Sequence, residues 1–562
     1  MFKICIFLFS LIFSNDDSKW FFKADGELGQ IIKDDEQIRK FVKNVYINRD
    51  TLSLFTDLAL QYTNKKELHL IGNIKMISGI DTLTCDSMIF WMDKDSIFAA
   101  GQIKLKQQNR ILTSNQINYW KTNGYRKASF NADGDVKIIG DNELILANQI
   151  AYDDSTQKMN LISKTSISSK NRSLNGNNML IQYADSLLDS ISITGNAYAT
   201  NSVFAFKSKK QQLKNYKDYM QSKKMNAYFN NGDLSTLLMS GMASSTFHVI
   251  DDTLFIGQND ASGDTMIVLF ANEKLDAIKV YGGARGKFIP EPVNSSVDSI
   301  VVYESDKFEY YIDAQESFLY DNAMVKYQET TLKSAYVRVD WDKSLLEASS
   351  DSVQFPTVIT PAEEPMVGEN LTFNLKTRHG IINKGKTEFN DAFFHGQKIY
   401  RDEPNTFHVH KSIYTSCDLD DPHFYFSSNR MKMIPGDRVI AKPLILHIYD
   451  IPIIGVPFAV FPSKGGGRRS GWIMPTFGIS EARGTYFRHL GYFWAPNDYY
   501  DFKSVLSFYD EHGLDFASTI NYKKRYSFDG KITSTFYRKL YDTNEIFSLF
   551  GTESTQNWDF KW

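Results

Sequence analysis

The sequence has no excess of charge of either sign and no internal apolar run long enough for a transmembrane helix. Its 63 basic and 66 acidic side chains in 562 residues exclude a protein that binds nucleic acid through bulk positive charge. A spanning helix needs roughly 20 consecutive apolar residues, and no stretch beyond the amino terminus provides them. Any insertion into a membrane must therefore use β-strands.

Cysteine is scarce as well. Of the 3 cysteines, Cys5 lies in an amino-terminal apolar segment, which leaves Cys85 and Cys417 for the folded protein. These two are 332 positions apart, and a disulfide requires a geometry that spacing alone does not establish. Whether they pair stays open at this point.

The motifs of common hydrolases are also missing. No HExxH, GxSxG or phosphate-cradling loop occurs. Residue types that bind metals do lie close together, at His408, His410, Cys417, Asp418 and His423. Two histidines at alternate positions of a strand share a face, which permits a metal site but describes a polar surface equally well. We expect no enzymatic activity and no cofactor.

The feature that is present is a repeat. Each copy has a glycine followed 14 residues later by Asp or Asn: Gly72 and Asp86, Gly101 and Asn115, Gly134 and Asn148. The glycines are 29 and 33 residues apart, a period typical of stacked units that cannot bury their apolar faces alone. Apolar residues recur at every second position, so each unit is predicted to be two strands, with the glycine at the head of a strand and the Asp or Asn at a turn. A sheet that coils on itself is expected.

The amino terminus has the features of an export signal. Lys3 provides positive charge, and residues 4–13 form an apolar run that is too short to span a membrane as a helix. We expect residues 1–14 to be a signal peptide.

Residues 207–224 are rich in lysine and interrupt the repeat. We expect them to form a helix or a disordered segment within an insertion at residues 205–230. Their lysines either attract anionic lipid headgroups or belong to a solvated loop, and the solvated loop is the favoured interpretation.

The pattern changes near residue 440. Residues 439–461 are almost continuously apolar, and beyond Gly471 longer strands alternate between an aromatic face, as at Phe502 and Phe508, and a polar face, as at Lys503. Tyrosine and tryptophan gather at strand ends, as they do at bilayer boundaries. This pattern favours a membrane barrel over a soluble sandwich with one wet face. Roughly six spanning strands fit before Trp562, and a closed barrel needs about eight, so only the first part of a barrel is expected.

Several segments resemble one known family. Their order is similar to that of the lipopolysaccharide-assembly outer-membrane proteins LptD, also called OstA, in residues 416–418, 422–426, 439–441, 453–457, 461–462 and 468–478. Residues 492–498 and 521–525 look like early barrel strands of the same family. The repeat of residues 40–200 is similar to the family's periplasmic OstA-type jellyroll.

The resemblance implies an all-β fold, namely a periplasmic β-jellyroll of OstA-like repeats followed by the first strands of an outer-membrane antiparallel β-barrel, incomplete in this chain. It implies transport of lipopolysaccharide, with the acyl chains of lipid A in the jellyroll and the barrel delivering the molecule to the outer leaflet. Exposing each CH₂ to water costs about 0.8 kcal/mol, so such a lipid needs a continuous apolar surface. The expected lipid-binding residues are the apolar ones on the inner face of the repeats: Ile74, Met76, Met88, Phe90, Ile103, Leu105, Ile117, Tyr119, Val136, Ile138, Ile150 and Tyr152.

A lateral gate is also implied. In the family the barrel opens between its first and last strands, helped by prolines that remove ladder hydrogen bonds. Pro475 matches the first-strand proline, and Gly491 stands where the family has its second. The family's cysteine pattern is not met, since only Cys417 lies in the matching segment.

The implied partners are lipopolysaccharide, a lipoprotein plug inside the barrel, a periplasmic OstA-like bridge protein and the barrel-assembly machinery. The bridge would dock edge to edge with the amino-terminal strands, because an exposed edge strand is a suitable docking surface. The protein is expected in the outer membrane, with its amino-terminal domain in the periplasm.

These interpretations divide the chain into a signal peptide at 1–14, a jellyroll at 20–400 with its insertion at 205–230, a junction at 401–470, and truncated barrel strands at 471–562. The alternative is a porin-like or surface polysaccharide-binding β-protein, which would share the strands but not the apolar interior of the repeats. A metal-dependent hydrolase is the less favoured alternative.

Overall fold

A computed structural model describes most of the chain as β-structure. The described residues are 19–33, 36–121, 128–141, 143–184, 187–207, 212–231, 233–251, 253–271, 274–295, 297–351, 353–361, 365–389, 392–402, 406–419, 421–434, 438–462, 470–473, 475–480, 484–510, 513–538 and 558–559. The signal peptide expected at residues 1–14 lies outside them. The regular elements of the described ranges are strands, which confirms the all-β fold class. Within the same ranges, no helix has the length and apolar character needed to cross a membrane.

The chain forms two compact units. Unit 1 comprises Met1–Gln328 and Arg338–Asp342, and unit 2 comprises Glu329–Val337 and Lys343–Trp562. One strand, β20 at Thr330–Asp340, contributes residues to both. The domain boundaries expected near residues 400 and 470 stay predictions.

Unit 1 is a succession of antiparallel hairpins. Its strands are β1 Phe21–Lys23, β2 Gly26–Lys33, β3 Glu36–Arg49, β4 Leu52–Tyr62, β5 Glu67–Ser78, β6 Asp81–Trp91, β7 Ser96–Gln107, β8 Arg110–Lys121, β9 Ala128–Ile139, β10 Glu143–Asp153, β11 Lys158–Ser169, β12 Arg172–Ala184, β13 Leu187–Phe206, β14 Leu213–Asn230, β15 Asp233–Asp251, β16 Leu254–Ala271, β17 Lys274–Pro290, β18 Val301–Tyr311 and β19 Glu316–Tyr327. Strands β1 and β2 both pair with β3. From β3 to β19 each strand pairs with the next one along the chain.

The strands of unit 1 bend in their middles, and the repeat glycines lie at the bends. Gly72, Gly101 and Gly134 have φ values of 83°, 80° and 81° and lie inside β5, β7 and β9 rather than at their heads. The predicted turn at Asp86 is also wrong, because Asp86 lies within β6 and its side chain faces Gly101. Only a residue without Cβ tolerates both the positive φ and this close neighbour.

The core of unit 1 lies on one face of these bent strands. Alternate side chains of β5 to β10 are buried on both sides of each bend, as at Met76, Phe90 and Leu105. A single flat layer would leave this face in water, so its burial means that the two arms of the bent strands pack on one another. Unit 1 is therefore a coiled sheet, as the repeat predicted, and it is of the β-jellyroll type that the family resemblance implied.

The lysine-rich segment is not an insertion of helix or loop. Residues 213–230 form β14, which pairs with β13 and β15 over most of its length. Its lysines point outward while Tyr216, Met220 and Met225 are buried. The expectation of a helix or a disordered segment is wrong for residues 213–230, because apolar residues at alternate positions bury one side of the strand while the lysines stay exposed. Residues 208–211 lie outside the described ranges.

Unit 2 contains two sheets. Its further strands are β21 Leu345–Ser349, β22 Thr357–Ile359, β23 Met366–Val367, β24 Asn370–Asn374, β25 Gly380–Phe389, β26 Ala392–Asp402, β27 Thr406–Thr415, β28 Phe424–Ile434, β29 Arg438–Lys442, β30 Leu444–Ile448, β31 Ile451–Val456, β32 Ala459–Pro462, β33 Gly471–Ile473, β34 Thr476–Ser480, β35 Gly484–Trp494, β36 Tyr500–Tyr509, β37 Gly513–Lys524, β38 Phe528–Arg538 and β39 Trp558–Asp559. In the first sheet β24 to β28 pair in order, and β28 then pairs with both β29 and β30. In the second sheet β33 and β34 both pair with β35, and β35 to β39 pair in order.

Candidate functional site

The residues predicted to bind lipid lie together on the inner face of unit 1. Their side chains are 0 to 4% exposed, and adjacent strands bring them into register, with Met76 opposite Leu83 and Leu105 opposite Leu83 from the other side. They form an apolar lining along β5 to β10: Ile74, Met76, Met88, Phe90, Ile103, Leu105, Ile117, Tyr119, Val136, Ile138, Ile150 and Tyr152. Contact with lipid at these positions remains a prediction.

Hydrogen bonds across the bends hold the two arms of this lining in place. Asn73 follows the bend glycine of β5 and donates from Nδ2 to Asp57 Oδ2 at 2.8 Å. The same arrangement recurs farther along unit 1, where Asn322 Nδ2 donates to Asp306 Oδ2 at 2.8 Å. The Asp side chain thus caps a strained backbone segment at each of these corners, and the inner face stays continuous through the bend.

The interior opens into a cavity in the part of unit 1 with the longest strands. A cavity of about 680 Å³ lies among β12 to β18. Apolar side chains from several strands line it, among them Leu174, Met220, Leu237, Phe247, Phe270 and Ile278. Three basic side chains, Lys170, Arg172 and Lys274, also line it. A second cavity of about 280 Å³ shares Tyr310 and Asn259 with the first, so the two adjoin.

A polar cluster is built into the wall of this cavity. Asp218 Oδ1 accepts a hydrogen bond from the backbone N–H of His248 at 2.9 Å and lies 3.0 Å from His248 Nδ1. Asn201 Nδ2 donates to the other carboxylate oxygen at 3.2 Å. Nearby, the Tyr303 hydroxyl donates to Asn259 Oδ1 at 3.0 Å, and burial raises the pKa of Tyr303 so that it remains a donor. These buried polar groups have partners, as groups of this kind require.

Sequence reasoning missed this cavity. It concentrated on residues 72–152, where the glycine repeat is regular, whereas the cavity is lined by residues 169–312. The alternation of Tyr216, Asp218 and Met220 between outward lysines was the available signal, and the high lysine content concealed it. Strand length was the second signal, because β13 to β17 have 17 to 20 residues and β5 to β10 have 11 or 12.

The second sheet of unit 2 has the opposite distribution of polarity. On one face Phe508, Phe516 and Ile520 are 37 to 40% exposed, whereas Asp501 and Ser507 on the other face are only 6% exposed. The hydroxyls of Ser504 and Ser518 lie on the apolar face but hydrogen-bond each other at 3.1 Å. A soluble sandwich would bury the apolar face and expose the polar one, so this arrangement disfavours that alternative.

Two family models match the chain. The family described as "LptD protein" matches residues 439–562, and the family described as "OstA-like protein" matches residues 18–125. These matches, together with the curated relatives described next, support the resemblance of the chain to the LptD/OstA family. The matches fall on the second sheet with the strands before it, and on the first repeats of the jellyroll.

Curated relatives of the LptD/OstA family match parts of the chain. The LPS-assembly protein LptD of Bordetella avium is 24% identical over 236 residues, which cover 39% of this chain and 27% of that protein. LptD of Cupriavidus pinatubonensis is 34% identical over 77 residues, which cover 14% of this chain and 9% of that protein. The matched regions thus span about a quarter or less of these relatives.

A solved structure also matches part of the chain. It is LptH from Pseudomonas aeruginosa, described as the LptA homologous periplasmic component of a lipopolysaccharide transport device, and it is 14% identical with a TM-score of 0.19. The match covers 24% of this chain and 84% of LptH. That TM-score is too low to support an inference about the fold, which rests on the strand registers described above.

The two residues assigned to the lateral gate lie at neighbouring places in the second sheet of unit 2, Pro475 between two short strands and Gly491 within the strand that pairs with both. Pro475 separates β33 from β34, both of which pair with β35. Gly491 lies in β35 opposite Ile473 on one side and Val505 on the other. A Cβ at Gly491 would lie 2.2 Å from the carbonyl oxygen of Ser504, so the close approach of two backbones explains the glycine.

The residues considered for a metal site form a polar surface. His408 and His410 share the exposed face of β27, as the alternation predicted. Their register neighbours include Lys432 beside His408 and Arg430 beside His410, and positive charges disfavour a bound cation. Within the described residues, no three His, Cys, Asp or Glu side chains are placed to hold an ion.

The two cysteines of the folded protein are free thiols, and they are expected to differ in reactivity. Cys85 is buried, and burial together with the Asp86 carboxylate raises its pKa to about 12. A thiol with a raised pKa stays protonated at pH 8 and is a poor nucleophile. Cys417 is partly exposed, so a maleimide is expected to modify it at least about tenfold faster than Cys85.

Mass spectrometry of the maleimide-treated full chain checks this prediction. Cys5 is replaced by serine, and the variants Cys85→Ser and Cys417→Ser are compared so that each thiol is followed alone. Rapid labelling of Cys85 in the folded protein would contradict its burial.

Proposed function

We propose that this protein transports lipopolysaccharide to the outer leaflet of the outer membrane. Unit 1 accepts the acyl chains of lipid A in its apolar interior, and the second sheet of unit 2 forms the first strands of a membrane barrel. The observation that carries the proposal is the opposite placement of apolar surface in the two sheets, inside in one and outside in the other. Resemblance to the LptD/OstA family supports the same assignment.

The interior of unit 1 suits a lipid with several acyl chains. Leaving an acyl chain in water costs about 0.8 kcal/mol of free energy for each CH₂. The apolar lining of β5 to β10 provides a surface on which such a chain avoids this cost. The cavity of about 680 Å³ provides room for guest atoms. Lys170, Arg172 and Lys274 at the same cavity supply positive charge for the phosphate groups of lipid A.

The second sheet of unit 2 suits the hydrocarbon region of a bilayer. Strands β35 to β38 have 10 to 12 residues, and a spanning β-strand needs about 9 to 11. Exposed aromatic side chains such as Trp472, Tyr492 and Trp494 lie near strand ends, where aromatic belts form. The polar face, with Asp501 bonded to Asn521 at 2.7 Å, would then face the barrel interior.

The gate and the partners are part of the proposal. Pro475 interrupts the first strand of the barrel, and Gly491 softens the neighbouring strand, so these two positions form one side of the lateral gate. The lipoprotein plug, the periplasmic OstA-like bridge and the barrel-assembly machinery are the proposed protein partners, with the bridge docking on the edge formed by β1 and β2. An outer-membrane location with unit 1 in the periplasm follows from this arrangement.

Site-specific photo-crosslinking tests the lipid path. Benzoylphenylalanine placed at Phe270 in the cavity, or at Tyr119 in the lining, is expected to form adducts with lipid A because both side chains face the interior. Trp120 is the matched control, since it is the next residue on β8 and its side chain is exposed on the outer face. Adduct yield from Tyr119 is expected to exceed that from Trp120 by about tenfold.

The porin-like alternative predicts a different result. A protein that conducts solutes or binds polysaccharide has no acyl chains inside its repeats, so neither Phe270 nor Tyr119 would yield lipid A adducts. Equal yields from Tyr119 and Trp120 would likewise contradict an interior path.

A further inference from the structure

One hairpin of unit 2 exposes an apolar strand that the lipid path does not use. The hairpin consists of β30 and β31, and all six residues of β31 are exposed. Ile451 is 62% exposed and Ile454 is 59% exposed. Adjacent residues of a strand point to opposite sides, so both faces of β31 are open. Contiguous exposed apolar surface of this kind marks contact with a partner or a membrane.

The hairpin is held firmly in its place. β30 pairs with β28, and β31 pairs with β30. At the tip, Tyr425 donates a hydrogen bond from its hydroxyl to Asp450 Oδ1 at 2.9 Å, and the Tyr449 N–H donates to the carbonyl of His423 at 2.9 Å. Tyr425 also stacks on His447 with 4.7 Å between the ring centres. The exposure of β31 is therefore a property of an ordered element.

We propose that the hairpin β30–β31 lies in the membrane interface and dips its apolar strand into the bilayer beside the barrel. This inference rests on the proposed function, because it requires that the second sheet spans the membrane. The hairpin adjoins that sheet, since Phe424 of β28 contacts Phe477 of β34 with 5.3 Å between ring centres. Its apolar surface thus continues the lipid-facing surface of the barrel strands.

The chemistry of the segment fits a lipid surface better than a protein groove or water. No charged residue occurs between Asp450 and Lys464 in the sequence, so the segment carries no charge into the acyl region. Pro452 and Pro457 lack N–H groups, which reduces the number of strand-edge donors that would lose water. Tyr449 and Phe458 are exposed at the two ends of β31, and aromatic side chains favour the headgroup level. An interfacial depth of about 5–10 Å accommodates such an element.

Depth-dependent quenching tests the proposal. Cys5, Cys85 and Cys417 are replaced by serine in the full chain, and single cysteines are introduced by Ile454→Cys, Phe516→Cys and Val353→Cys. Each is labelled with nitrobenzoxadiazole, and the protein is reconstituted in phosphatidylcholine–phosphatidylglycerol vesicles with or without brominated acyl chains. Phe516 reports the barrel surface, and Val353, which is 84% exposed in a loop of unit 2, reports water.

The expected result is quenching by brominated lipid at Ile454 and Phe516, about threefold or more above that at Val353. Quenching at Phe516 with access of aqueous iodide to Ile454 would overturn the hairpin proposal and leave the proposed function standing. Protection of Ile454 from both quenchers would indicate that a second copy or another part of this chain covers the strand, and it would also overturn the hairpin proposal. Absence of quenching at Phe516 as well would overturn the membrane assignment itself.

Discussion

Replacing Gly101 with alanine is expected to destabilise the jellyroll by about 2–4 kcal/mol. Gly101 has a φ of 80°, and a Cβ there would lie 2.3 Å from Oδ2 and 2.8 Å from Cβ of Asp86. The carboxylate can rotate away, but the Cβ of Asp86 is fixed to the backbone of β6. Both the backbone conformation and the contact therefore oppose any side chain at this corner.

Hydrogen exchange of β6 and β7 in the full chain measures this loss, because the free energy of local opening is read from the exchange rates of their amides. Gly79→Ala is the matched control: Gly79 also has a positive φ, 61°, but nothing lies within 4 Å of its added Cβ, so about 1 kcal/mol is expected. The double variant Gly101→Ala with Asp86→Gly is expected to recover part of the loss. Equal destabilisation by Gly101→Ala and Gly79→Ala would show that the Asp86 contact does not constrain the corner.

Replacing Leu237 with tryptophan is expected to lower the affinity for lipopolysaccharide by about tenfold, equivalent to about 1.4 kcal/mol. Leu237 lines the cavity of about 680 Å³, and an indole would fill space that the acyl chains require. Leu238 is the adjacent residue of β15, and its side chain points to the opposite face. Leu238→Trp adds the same volume outside the cavity and is expected to bind lipopolysaccharide normally.

Binding is measured by displacement of a fluorescent lipopolysaccharide from the purified full chain. Hydrogen exchange of β15 in both variants shows whether either substitution disturbs the strand itself. Unchanged affinity in Leu237→Trp with an intact β15 would place the lipid elsewhere and refute a role for this cavity.

An apolar residue inside unit 1 can both stabilise the fold and contact lipid, and these two roles are hard to separate by mutation. Phe90 and Met76 are fully buried, so they stabilise the jellyroll whether or not lipid passes beside them. The cavity-lining residues report lipid binding more directly, because the cavity beside them already leaves room for a bound acyl chain. Variants of the cavity residues therefore test lipid binding, whereas a truncation such as Met76→Ala mainly tests the stability of the fold.

Alternation was sufficient to predict the inner face of the repeats. A strand has a side-chain period of two, so Ile103 and Leu105 had to share a face, and their neighbours Gln102 and Lys104 had to share the other. The same rule predicted that His408 and His410 lie on one surface and that Phe502 and Phe508 lie on the apolar face of a barrel strand. The family resemblance of residues 439–478 could also be recognised from the sequence without a structure.

The positions of the bends in the strands could not be predicted from the sequence. Gly101 follows Asp86 by 15 residues, whereas the sequence pattern paired it with Asn115, which comes 14 residues later. Both spacings recur in the repeat, and only the strand register decides that Asp86 is the residue facing Gly101. The lysines of β14 likewise led to the wrong prediction of a helix or a disordered segment. Exposed charged residues on a strand do not show what its buried residues pack against.

The sequence by itself determined that the chain is all β, that its repeats have an apolar face, and that its last strands have one aromatic and one polar face, because these properties follow from the order of side chains along a strand. Only the tertiary structure decided where the interior holds space and where apolar surface stays uncovered. The cavity depends on how side chains from several strands fail to fill a volume. The exposure of β31 depends on which neighbours it lacks among the described residues. Neither property is local in the chain.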